Sequence, residues 1–298
     1  MSHNSRTTWA IALILLVFAA GVYLSSRALL GRDGFFAGSR VAVLPVEGVI
    51  TSERQVLGHL ETFRRDGSVR AFVIEIRSPG GTVGASQSIY REIRKLREMD
   101  DRPIVAWMGD IAASGGYYVS LAADSVYALP GTLTGSIGVI MEFPNASELM
   151  RKVGVEWEVV KSGEHKDMGS PSRPLSDSDR EILEGVVLDV WDQFVDAVAD
   201  NRPIARAEVV ALADGRIFSG EQAVELGLVD GIATLNEAID AAGRMAGLGE
   251  RPQTLRPRPR RVRWIDLLLG LTETKARHLL EILPSVPSVT PRLLYEWR

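Results

Sequence analysis

Apolar residues along this chain fall into three regimes. From Thr7 to Ser26 there is no charge at all, and the stretch from Trp9 to Leu24 is nearly all apolar. About 20 such residues cross a bilayer. The pattern therefore predicts a transmembrane helix over about 8–26, within an N-terminal signal anchor and linker over 1–40. Apolar residues continue past Ala19-Ala20-Gly21, which favours an uncleaved anchor over a signal peptide with its shorter apolar core. The basic residues do not orient it, because Arg6 precedes the run and Arg27 and Arg32 follow it.

From Val41 onward the pattern changes to short apolar runs separated by helical spacing. Val41–Ile50, Val69–Ile76, Pro103–Met108, Ser125–Leu129 and Val155–Val160 read as strands. Between them, Ile89, Ile93 and Leu96 share one face of a helix over Ala85–Met99, and a second helix starts near Ser114. Strands alternating with helices predict an α/β fold with a mainly parallel sheet and flanking helices. Beyond Ser176 the chain turns helical. Ser176 with Asp179, and Ser219 with Gln222, have the spacing of capping boxes.

The third regime covers 249–298. Arg251–Arg263 is rich in Pro and Arg and reads as an extended linker. It leads into an amphipathic tail with Leu267, Leu268, Leu279, Leu280 and Leu283, suited equally to a membrane surface or a protein neighbour. That leaves 41–248 as a single folded domain.

Composition narrows the chemistry. The 298 residues include no cysteine, which excludes disulfides, thiol nucleophiles and cysteine-ligated metals. A formal net charge of −4 gives no basic field for nucleic acid.

Two turns could carry chemistry. In Asp110-Ile-Ala-Ala-Ser114-Gly-Gly-Tyr-Tyr118, a serine follows a strand, opens a helix and precedes two glycines. It could be a nucleophile presented at the helix start, or simply a helix cap. Ser78-Pro-Gly-Gly81 also follows a strand. Its amides could hold an oxyanion or make an ordinary tight turn. Among the four histidines only His165 stands in a candidate segment, beside Lys166 in Lys161-Ser-Gly-Glu-His-Lys-Asp167, which alone reads as a solvated charged loop.

Taken together, Ser114-Gly-Gly-Tyr-Tyr118, Gly131-Thr-Leu-Thr-Gly-Ser-Ile-Gly138, Lys161–Asp167, Ser78-Pro-Gly-Gly81 and Phe218–Asp230 resemble the signal peptide peptidase A family of Ser–Lys proteases. The resemblance covers 41 to about 245 and includes the anchor. It implies a Clp/crotonase-like fold, Ser114 as nucleophile, Lys166 as general base, and Ser136 positioning the lysine amine. Backbone amides at Gly80, Gly81 and Gly115 then form the oxyanion hole. It implies no metal and no organic cofactor. It places the catalytic domain outside the cytoplasm on a single-pass protein of the cell membrane. The expected substrates are extended apolar peptides such as signal-peptide remnants. Short members of the family assemble as homo-oligomeric rings with sites at subunit contacts, and an octamer is the expected size.

A lysine is a base only when neutral, and its reference pKa is about 10.4. The site must therefore desolvate Lys166 and keep Glu164 and Asp167 from its amine. Three competing readings are a crotonase-like acyl-CoA enzyme, a Ser–Lys protease of intact membrane proteins, and an inactive quality-control scaffold.

Overall fold

The computed structural model describes residues 38–257 and 294–296. The expected transmembrane helix and the amphipathic tail helix lie outside the described residues. Among the described residues no helix is long and apolar enough to cross a membrane.

Three strands form the centre of the main sheet: β1 (Arg40–Glu47), β2 (Val69–Ser78) and β4 (Ile104–Ala113). They pair in parallel, β1 with β2 and β2 with β4. Their near-continuous apolar sequences suit a sheet covered on both faces. Because side chains alternate along a strand, each strand feeds two cores. Ala42, Leu44, Phe72, Ile74, Ile104 and Met108 enter the larger one. Val41, Val43, Ala71, Val73, Val105 and Trp107 enter the smaller.

The larger core is closed by α1 (Arg54–Arg65), α2 (Val83–Met99), α3 (Gly115–Ser120) and α5 (Asp177–Asn201). The stripe Ile89, Ile93 and Leu96 of α2 is buried, at the spacing the sequence predicts. On the other face lies α8 (Leu235–Met245), which contributes Ala238, Ile239 and Ala242. Trp107 crosses this smaller core and donates its indole N–H to the Ala233 carbonyl at 2.9 Å.

Shorter strands complete the sheet. β5 (Ser125–Ala128) pairs with β4 and with β8 (Gly231–Ile232), and β9 (Gln253–Leu255) adds in parallel to β1. β6 (Leu133–Gly135) pairs in parallel with β4, and β7 (Ile217–Ser219) is antiparallel to β6. The Pro/Arg-rich segment is thus part of the sheet at its start. Its Arg256 donates to the buried Glu75 carboxylate at 2.7 Å.

Val155–Val160 is a correction to the sequence reading. Those residues form no strand. Their alternation suits a strand, but no edge among the described residues pairs with them, and Val155, Trp157, Val159 and Val160 stand exposed. Both expected capping boxes are present, Ser176/Asp179 opening α5 and Ser219/Gln222 opening α7 (Gly220–Glu225). A third, Thr234/Glu237, opens α8.

Candidate active site

Parallel α/β sheets bind ligands beyond the carboxyl ends of their strands, and five expected site residues gather there. β4 changes partner along its length. Val105–Met108 pair with β5, whereas Ile111–Ala113 pair with β6. Against β2, Ile76 faces Met108, yet Ser78 faces Ala112. Two extra residues of β4 therefore bulge between these pairs, re-aiming its last turn. Arg77 lies over the bulge. A Cβ at Gly109 would come 2.8 Å from its Cγ, and its guanidinium stacks 5.0 Å above the Trp107 ring.

Ser114 is the first residue past the end of β4. It is 1% exposed and has φ 51°, ψ −115°. Few non-glycine residues occupy positive φ. The conformation is held by the Ser114 amide donating to the Gly135 carbonyl and by the Tyr118 amide donating to the Ser114 carbonyl, both at 2.8 Å. Its side chain does not cap α3, so the ordinary cap role is not what this serine fills. Gly115 opens α3, where the first amides have no partner within the helix.

Two glycine-dependent contacts bring the second turn alongside. A Cβ at Gly116 would stand 2.7 Å from the Ser78 carbonyl, so α3 begins directly against the end of β2. A Cβ at Gly81 would overlap the Ile50 carbonyl, which Gly81 approaches through a parallel bridge. Gly80 and Gly81 belong to β3 (Gly80–Thr82). The Gly80 amide donates to Ser78 Oγ at 3.1 Å and is engaged within the turn. β3 also takes an antiparallel partner, β10 (Leu294–Glu296), with Tyr295 opposite Gly81.

Ser136 follows β6 as Ser114 follows β4. Its φ is 50°, and its amide donates to the Arg216 carbonyl at 2.8 Å. Since Ala113 pairs with Gly135, Ser114 and Ser136 leave adjacent strands at the same level. Tyr117, fully buried behind them, donates its hydroxyl to the Leu228 carbonyl at 3.0 Å. Burial of Tyr118 pushes its phenol up to about 12, so it stays neutral.

Lys166 is placed differently. It lies in a 3-10 turn, Glu164–Asp167, in the long connection between β6 and α5. It is exposed, and its amine makes no hydrogen bond or ion pair with a described residue. No hydrogen bond joins it to Ser114. The structure thus brings together Ser114, Gly115, Gly80, Gly81 and Ser136, and leaves Lys166 outside that group within the single chain.

What the sequence did not disclose is the polar cluster around that turn. His165 Nδ1 meets Asp179 Oδ1 at 2.8 Å, and Arg173 donates to Asp179 at 2.5 Å and to Asp167 at 2.8 Å. Lys161 also donates to Asp167, at 2.8 Å. Arg173 first, then Lys161 for Asp167 and His165 for Asp179, hold both carboxyls well below the usual range. The capping box flagged Asp179, but only as a helix cap. Among the described residues no group of three or more His, Asp or Glu converges as metal ligands would.

Residues 97–249 match the family model described as peptidase family S49. The chain is 42% identical over 211 residues to the candidate protease slr0021 of Synechocystis sp., covering 70% of this chain and 75% of that one. It is 37% identical over 218 residues to a candidate signal peptide peptidase SppA of Enterococcus faecium, covering 69% and 63%. Against Protease 4 of Haemophilus influenzae the identity is 33% over 216 residues, covering 70% and 35%. The chain thus spans under two thirds of the second relative and about a third of the third. The chain belongs to peptidase family S49, the signal peptide peptidase A family of serine peptidases.

Proposed function

We propose that this protein is a membrane-anchored serine endopeptidase in which Ser114 is the nucleophile and Lys166 the base, and which degrades extended apolar peptides such as signal-peptide remnants. The observation that carries the reading is the setting of Ser114. It is a strained serine at the carboxyl edge of the sheet, flanked by the glycine turns at 80–81 and 115–116. Strain of this kind persists where the surroundings over-determine it, and it clusters at active sites.

In this mechanism a neutral Lys166 takes the Ser114 proton, and Oγ attacks the peptide carbonyl. The Gly115 amide, with Gly81 across the turn, faces the oxyanion. Lys166 then returns its proton to the leaving amine, and water hydrolyses the acyl-enzyme. Ser136, level with Ser114, orients the lysine amine. Peptides bind by adding a strand to β3. That edge already accepts one antiparallel segment, Leu294–Glu296. The fold is of the Clp/crotonase-like type, with the domain at 41–248 on the extracytoplasmic side of a single-pass anchor in the cell membrane.

The isolated chain leaves Lys166 exposed, and a base must be desolvated. We therefore read the enzyme as a homo-oligomeric ring, an octamer by family resemblance, in which the Lys166 turn of one subunit completes the Ser114 site of the next. Exposed apolar residues in the same connection, Leu149 (63%), Trp157 (61%) and Val160 (101%), support a subunit contact there.

A second reading is favoured by one distance. His165 Nδ1 lies 2.8 Å from Asp179 Oδ1, as in the His–Asp half of a serine-protease triad. Cleavage of a peptide library by the full chain separates the two. Loss of nearly all turnover in Ser114→Ala and Lys166→Ala, with a mild effect of His165→Ala, supports the dyad. The dyad fails if Lys166→Ala keeps near wild-type turnover at pH 7–8. Loss in His165→Ala equal to that in Ser114→Ala selects the histidine.

A further inference from the structure

The turn that bears Lys166 is bounded by charge on both sides. Glu164, His165 and Asp167 are its companions in the 3-10 turn, and Asp179 lies against it at the start of α5. A carboxylate with free oxygens near a catalytic amine would keep it protonated, because an opposite charge within about 4–6 Å favours the charged form. A lysine base in this sequence context therefore needs something that neutralises its neighbours.

The polar cluster meets that need. Asp167 is 13% exposed and accepts from Lys161 Nζ and Arg173 Nη2, both at 2.8 Å. Asp179 is 1% exposed. One of its oxygens meets His165 Nδ1 at 2.8 Å, and the other accepts from Arg173 Nη1 at 2.5 Å and from the Ser176 amide at 3.2 Å. Two carboxylates thus face two cations, and the charges of Asp167, Asp179, Lys161 and Arg173 sum to zero. Lys161 also donates to the Glu164 carbonyl at 2.7 Å, pinning the start of the turn. The residues on each side of Lys166, His165 and Asp167, are both tethered, one to Asp179 and one to Arg173 and Lys161. Lys166 itself takes no part. Glu164 in the same turn and Asp177 in the first turn of α5 are the nearby acidic residues in sequence, and their side chains make no hydrogen bond within the cluster.

We propose that Arg173, Asp167, Asp179 and Lys161 are positioning residues for Lys166, fixing the direction of its turn and cancelling the negative charge around its amine. Arg173 is the centre of this arrangement, since it alone among the described residues bridges the two carboxylates. The inference rests on Lys166 being the base, and assigns the His165–Asp179 contact to holding the turn rather than to proton transfer.

The test is the pH dependence of kcat/KM for peptide cleavage by the full chain, in wild type, Arg173→Gln, Arg173→Lys and Asp167→Asn, with Lys166→Ala alongside. Removing the arginine charge leaves a net negative cluster. The acid limb of the profile should then move up by about one pH unit, with about tenfold lower activity at pH 7 that recovers at higher pH. Removing the Asp167 charge leaves a net positive cluster, and the same limb should move down. Arg173→Lys should stay near the wild-type profile. Limbs that coincide with wild type, or that move in the same direction in both charge variants, overturn the inference, because a purely structural loss carries no sign. If Arg173→Gln does not fold, as judged by thermal unfolding, the direction of the Asp167→Asn shift decides alone. Substantial turnover in Lys166→Ala would instead defeat the dyad itself. An inactive Lys166→Ala with unmoved limbs in the charge variants defeats only the positioning role.

Discussion

Ser114 and Ser136 occupy equivalent places on adjacent strands. Each stands one residue past the paired positions Ala113 and Gly135, with φ of 51° and 50°. The Ser114 amide reaches across to the Gly135 carbonyl. Two serines in sparsely allowed backbone thus stand level at the carboxyl edge of the sheet, held so by one hydrogen bond.

The first prediction separates the side chain of Ser114 from its backbone. A non-glycine residue in this region carries a strain on the order of 1–3 kcal/mol, which glycine avoids. Ser114→Gly and Ser114→Ala should both be inactive and unlabelled by a fluorophosphonate. Chemical denaturation should find the glycine variant more stable than the alanine variant by about 1 kcal/mol. Equal stabilities would remove the strain from the account.

Ser136→Ala should lower kcat/KM without abolishing it. One hydrogen bond orienting a base contributes on the order of 1 kcal/mol, a five- to tenfold loss. The pH–rate profile should shift as well if the hydroxyl sets the environment of the lysine. An unchanged rate and an unchanged profile would leave Ser136 as a turn residue only.

The shared site predicts complementation. Ser114→Ala and Lys166→Ala, co-expressed with different tags, should each be inactive alone and regain part of the wild-type activity when mixed. Some contacts then combine an intact Ser114 with an intact Lys166 from the neighbouring subunit. Mixed assemblies that co-purify through both tags and stay inactive would place both groups of a site in one chain.

Acid stability should report the cluster beneath Lys166. The Asp167 and Asp179 carboxyls are held below their ordinary values, chiefly by Arg173. A depressed carboxyl stabilises the fold fully above its unfolded pKa, about 3.9, and loses that contribution as pH falls toward its folded value. Asp179→Asn should therefore melt below wild type from about pH 5 upward, and the gap should close as pH falls from about 4 toward 2. A gap constant to pH 2 would mean that the charge of Asp179 does not hold the turn.

Much of this was legible in the sequence, and the exceptions have physical causes. β1, β2 and β4 are long apolar runs, and burial on both faces writes itself into every position. The Ser176 and Ser219 boxes are local signals, satisfied within four residues. β6, β7 and β8 have three residues or fewer, too short to carry a period. Val155–Val160 has a strand's alternation without a partner edge among the described residues. At the site, the glycine turns were readable because few residues fit them. The Arg173 bridge was not, because it depends on how a proline-rich loop folds back on the start of α5.

The change of partner along β4 has a consequence for how such a protein can vary. The half that meets β5 is locked to Trp107 and the α8 layer. The half that meets β6 ends at Ser114. A bulge lies between them, so small shifts in the first half are absorbed before they reach the second. Substitutions around Trp107 and α8 can then drift over generations, raising or lowering the melting point, while Ser114 keeps its aim.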